Sequence, residues 1–160
     1  MLLTHGNSLN AGMWATVVPH LQDGFHCWGL DFRGHGSARP QHDDMSVERS
    51  HFVDEVLAAT DALGGGRLLA AGHSLDASSL VLAELAQPGT YQGLWLYEPL
   101  LAPPGASRPD IDHPLAQPIA EVLGNGRLKT FTELGHFGPM ENGEAIAQDI
   151  RVHLEPLIAA

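Results

Sequence analysis

One serine and one histidine stand in this chain where their surroundings would make them reactive. Ser74 lies in Leu68-Leu69-Ala70-Ala71-Gly72-His73-Ser74-Leu75-Asp76-Ala77, an apolar run that passes through Gly-His-Ser straight into a helical pattern. A strand, a sharp turn and a helix with serine at the apex hold the hydroxyl above a sheet on strained backbone, with a helix N-terminus behind it to favour negative charge. A serine held that way is placed to attack an electrophilic carbon. The plainer reading of Ser74 is a helix N-cap, a role serine often takes. His136 lies in Leu134-Gly135-His136-Phe137-Gly138-Pro139, a loop just after the last expected strand. From there it could reach over the carboxyl edge of a sheet and act as general base. A lone histidine on a loop is more often inert, and this one gains weight from the order of the chain, serine before histidine.

The elements that must position these residues follow from periodicity. Short apolar runs ending in Gly or a polar turn alternate with longer amphipathic stretches, the pattern of βα units and a parallel sheet. Strands are expected at 1–4, 25–30, 67–71, 93–97 and 128–132, and helices at 12–21, 47–63, 75–86, 114–123 and 143–158. In 47–63 the apolar residues Phe52, Val53, Val56, Leu57 and Leu63 recur at helical spacing, so one face can pack on the sheet. Gly64-Gly65-Gly66 then stops that helix. The stretch 99–114 is proline-rich and reads as a long loop, a length at which loops tend to be functional.

Composition narrows the field. At 160 residues the chain fits one domain over 1–160, and a hydrophobic content of 44 % is enough for a packed core. The net charge of −11 opposes binding to a phosphate backbone or to anionic lipid, so neither nucleic acid nor membrane is an expected partner. Cys27 is the only cysteine, which excludes an internal disulfide, and no leader or membrane-length apolar run is visible. A cytoplasmic protein is expected. The ten histidines are scattered and show no metal-ligand spacing, so neither a metal nor any other cofactor is expected.

The chain resembles the α/β-hydrolase superfamily through His5-Gly6, Asp31-Phe32-Arg33-Gly34-His35-Gly36-Ser37, the Gly72-His73-Ser74 elbow and Gly135-His136-Phe137, in the usual order across nearly the whole chain. The resemblance implies a three-layer α/β sandwich with a five-stranded parallel sheet in the order 2-1-3-4-5, a reduced core with no separate cap. It also implies that Ser74 is the nucleophile and His136 its base, with the backbone N–H groups of Asn7 and Leu75 forming an oxyanion hole. The Asp31 to Ser37 turn reads as structural. For the triad acid Asp110 is expected, because it precedes Pro114 and a helix as the family's acid precedes its own; Asp112 and Glu98 are the alternatives, ahead of Glu133 and Asp31.

The chain departs from the family pattern in three ways. Asp76 stands where the elbow usually has a second small residue, and its charge should oppose an oxyanion. The family's early strands and cap are not visible, and neither is the strand that usually carries the acid. The expected activity is cleavage of small carboxylic esters through an acyl-enzyme on Ser74, the alternative being a weak or inactive scaffold that serves as an interaction or engineered domain. The expected partner is a small ester, and the expected state a monomer, or a homodimer if the fifth strand pairs with a second chain.

Overall fold

The computed structural model describes residues 1–38, 48–100, 119, 121, 123 and 126–158. Four strands form one parallel sheet: β1 (Leu2–Thr4), β2 (Trp28–Leu30), β3 (Leu68–His73) and β4 (Tyr91–Tyr97), in the order β2-β1-β3-β4. That matches the first four places of the expected order. The chain thus has the α/β-hydrolase arrangement of a parallel sheet flanked by helices.

Neighbouring residues on one strand face opposite sides of the sheet, and both sides here are covered. Leu2 and Ala70 pack with Phe32, Phe52, Val56 and Leu80 beneath helices α1 (Arg49–Ala62) and α2 (Ser74–Ala86). Leu3 and Ala71 pack on the other side with Trp14, Val17, Leu21, Trp95 and Ile150. That second layer comes from two 3-10 helices, Ala11–Thr16 and Val18–His20, and the carboxyl-terminal helix Gly143–Ile158. In this last helix Ile146, Ile150 and Leu154 recur every four residues and are buried, as an amphipathic helix on a sheet requires. A short helix, α3 (Gly138–Glu141), precedes it, making the carboxyl-terminal helix α4.

The expected fifth strand at 128–132 forms no ladder among the described residues. Residues 126–130 are all exposed, so they lack the burial that makes a parallel strand stable. The segment is tethered by side chains: Lys129 pairs with the buried Asp149 and lies over the Phe131 ring, 4.6 Å from its centroid, while the Phe131 ring is 6.0 Å from that of Tyr97. The expected helix 12–21 is split into the two 3-10 helices, with Asn10 capping the first through a 2.8 Å bond from Gly12 N–H and Pro19 starting the second. Most of the helix expected at 114–123 lies outside the described residues.

Register sets where the site falls. Thr4 pairs with Gly72, and His73 with Tyr97, so β1, β3 and β4 finish at one edge of the sheet. Because β2 and β3 lie on opposite sides of β1, the crevice between β1 and β3 is the topological switch point, where open α/β sheets hold ligands.

Candidate active site

The end of β3 carries Ser74 at φ 55°, in the left-handed region that a non-glycine residue occupies only under constraint. The constraint is tight packing on both sides of the turn. A Cβ on Gly72 would come within 2.7 Å of the Ala77 backbone and 2.8 Å of Thr4 Oγ1, so only glycine lets α2 start this close to the sheet. A Cβ on Gly6 would meet His73 Nδ1 at 2.5 Å and the Ser74 Cβ at 3.1 Å, so the turn after β1 lies directly against the elbow. Ser74 itself is 4 % exposed.

The turn after β1 is braced by the Asp31 to Ser37 turn. Phe32 N–H donates to His5 Nε2 at 3.2 Å, Ser8 N–H to His35 Nε2 at 3.3 Å, and Ala11 N–H to Asp31 Oδ1 at 2.7 Å. The Asp31 carboxylate also accepts from Ser37 N–H and Ser37 Oγ. Burial works to raise the Asp31 pKa, and these hydrogen bonds more than offset it, holding the carboxyl below its ordinary range. What this turn supports is the His5 to Ala11 segment. Since His5 Nε2 accepts from Phe32, its proton sits on Nδ1 and points to Gly6 O at 2.9 Å. Burial lowers the His5 pKa as well.

Asn7 is exposed at this turn, next to the buried Gly6. Leu75 is the second residue of α2, where no carbonyl of the helix lies behind its N–H. Asp76, also in the first turn of α2, is 2 % exposed, with Oδ2 3.6 Å from His5 Nδ1.

On the other side of the elbow, His136 Nδ1 is 2.5 Å from Glu98 Oε2. A carboxylate accepts, so Nδ1 carries the proton and Nε2 is left as the basic nitrogen. Glu98 follows β4 directly, at φ 45°, and the chain beyond it folds back so that Leu100 N–H donates to Ser74 O at 3.2 Å. Both side chains are half-exposed, 41 % for His136 and 49 % for Glu98. The His136 loop is fixed by its backbone: Tyr97 Oη donates to Gly135 O at 2.8 Å, Gly135 N–H to Glu141 Oε2 at 2.9 Å, and His73 Nε2 lies 2.6 Å from His136 O. Among the described residues no hydrogen bond joins Ser74 Oγ to the His136 imidazole.

Of the acid candidates, Asp110 and Asp112 lie outside the described residues, and Glu98 is the carboxylate on Nδ1. Sequence reasoning missed His73 and Tyr97. Their signal was position, each being the last residue of a strand that ends at the site. No group of His, Cys, Asp or Glu that could hold a metal is found among the described residues, nor any helix there long and apolar enough to cross a membrane.

A family profile described as the alpha/beta hydrolase fold matches residues 1–75, which hold the first turn and the elbow. The chain is 29 % identical over 96 residues to the karrikin insensitive 2 receptor CA of Petunia hybrida, 59 % of this chain and 36 % of that protein. It is 30 % identical over 89 residues to a 2-(acetamidomethylene)succinate hydrolase of Mesorhizobium japonicum, 55 % of this chain and 31 % of that one. The chain thus spans about a third of the length of these two curated relatives. Among solved structures, a predicted CIB-like hydrolase from Thermoplasma acidophilum matches 97 % of this chain and 85 % of its own, with a TM-score of 0.76 at 18 % identity. The chain has the fold of the α/β hydrolases, and its residues 1–75 match that family's profile.

Proposed function

We propose that the chain is a serine hydrolase that cleaves small carboxylic esters, with Ser74 as nucleophile, His136 as base and Glu98, in the place expected for Asp110, as the acid. The observation that carries this reading is the meeting of two arrangements at one sheet edge: a strained serine elbow, and a histidine whose Nδ1 is 2.5 Å from a carboxylate. Ser74 Oγ attacks the carbonyl carbon and its proton passes to His136 Nε2. The tetrahedral oxyanion takes hydrogen bonds from the N–H groups of Asn7 and Leu75. His136 returns the proton to the departing alkoxide, leaving an acyl-enzyme, and a water deprotonated by His136 releases the acid and restores Ser74. Contacts between nucleophile and base are often long in unliganded sites and tighten in the complex, which accommodates the missing Ser74 to His136 bond.

The buried Asp76 favours a second reading, a scaffold too slow to count as an enzyme. One experiment separates the two. A fluorophosphonate probe and p-nitrophenyl acetate are given to the protein and to Ser74→Ala. The expected result is one adduct per chain at Ser74 and a loss of about 10⁶ in kcat on substitution. If the unmodified protein takes no label, or Ser74→Ala keeps its turnover, the hydrolase reading fails.

A further inference from the structure

His73 is a buried titratable side chain that acyl transfer on Ser74 does not use. It is 1 % exposed, ends β3 and immediately precedes Ser74. Its Nε2 lies 2.6 Å from the carbonyl oxygen of His136. A carbonyl only accepts, so Nε2 carries the ring proton and Nδ1 is bare. Nδ1 has no hydrogen-bond partner and is closed off by Gly6, where a Cβ would stand 2.5 Å away. Burial pushes the His73 pKa down to about 4, so near neutral pH the ring is uncharged and donates from one nitrogen. Its centroid is 4.7 Å from that of His136 and 6.0 Å from that of Tyr97.

We propose that His73 is a positioning residue whose Nε2–H latches the His136 carbonyl, holding the base against the elbow that presents Ser74. This rests on the reading of Ser74 and His136 given above. Glu98 constrains the His136 ring, but from a half-exposed position. The bonds from Tyr97 and to Glu141 fix Gly135, one residue away. Among the described residues, the bond from His73 is the one made to the His136 backbone by the chain next to Ser74. A rigid ring also suits the role better than a flexible donor, because it loses little freedom on binding the loop.

The test compares His73→Leu, which removes the donor, with His73→Gln, whose side-chain amide can put an N–H near the place of Nε2. With p-nitrophenyl acetate, His73→Leu should lower kcat by about 10²-fold, the cost of displacing a catalytic group by about an ångström, with KM little changed. His73→Gln should recover most of that loss. Equal impairment of the two variants would mean that the ring matters for packing and would overturn the latch, as would a folded His73→Leu with unchanged kcat. A second measurement needs no turnover and no stable variant: the long-range 1H–15N spectrum of the unmodified protein at pH 7 should show His73 protonated at Nε2 and bare at Nδ1. The opposite tautomer overturns the latch. If Ser74 takes no phosphonate while His73 shows the expected tautomer, it is the hydrolase reading that has failed.

Discussion

Ser74 and the turn after β1 are positioned from inside the fold, by three parallel ladder pairs between β1 and β3 and by glycines that leave no room for a methyl group. Glu98 and His136 lie beyond the strands, half-exposed, and are held by side chains reaching to backbone: Tyr97 to Gly135, His73 to His136. The Ser74 half is therefore set when the sheet closes, and its geometry cannot relax without disturbing the core. The Glu98–His136 half can be altered at little cost to the fold. The two halves should separate under mutation, one registering in stability and the other in rate.

The largest expected effect falls on the exposed half. Glu98→Gln should lower kcat/KM by up to about 10⁴-fold, the loss a triad acid can carry through the wrong histidine tautomer. Unfolding stability should stay within about 0.5 kcal/mol of the unmodified protein, as for a surface substitution. Asp110→Asn should leave both nearly unchanged. Measured side by side with p-nitrophenyl acetate and urea unfolding, a silent Glu98→Gln beside a crippled Asp110→Asn would return the acid to Asp110 and break the comparison as drawn.

The same division governed what could be read in advance. Strands β1 and β3, helix α2 and the elbow announce themselves locally, because an apolar run, a Gly-His-Ser turn and an amphipathic stretch each carry their own physical signature. Helix 143–158 was legible for that reason too, and its bounds were met. Glu98 could only be ranked among several carboxylates, since its partner is 38 residues away and the contact depends on how the chain turns after β4. Residues 128–132 looked like a strand because Leu128 and Phe131 are apolar. What decides between strand and tether is burial, and Leu128 is 58 % exposed. Position at the end of β3 put His73 at the site, but its contact with the loop 63 residues later lies beyond any local pattern.

A smaller effect, in stability, tests the buried half. Gly72→Ala puts a methyl group against the Ala77 backbone, Leu80 Cδ1 and Thr4 Oγ1, all within 2.8 Å. The nearest of these is the Ala77 backbone of α2, a helix that also packs against α1, so movement of the Leu80 and Thr4 side chains alone cannot relieve the strain. Overpacking of this kind costs about 1–3 kcal/mol, and the urea midpoint should fall accordingly. Activity should fall with it, because Ser74 and Leu75 ride on the displaced helix. An unchanged midpoint would show that the start of α2 has slack, and the contrast between the halves would lose its basis.

The smallest effect is expected at Asp76, where a carboxylate stands beside the proposed oxyanion site. The carboxylate is buried in the first turn of α2, favourable for a negative charge at a helix N-terminus but close to the N–H of Leu75 that would receive the oxyanion. Asp76 Oδ2 lies 3.6 Å from His5 Nδ1, His5 Nε2 accepts from Phe32 N–H, and burial lowers the His5 pKa. Asparagine is the informative replacement, since it keeps the shape and the hydrogen-bonding capacity of a buried side chain that glycine would delete. Asp76→Asn should raise kcat about fivefold, the worth of roughly 1 kcal/mol for a unit charge a few ångström away. KM should hardly move, because the repulsion is felt only as the oxyanion forms. A fall in kcat would give Asp76 the opposite role: the carboxylate would then be holding His5, and through His5 Nδ1 the Gly6 carbonyl, so that the turn facing Ser74 depends on the charge that appeared to oppose it.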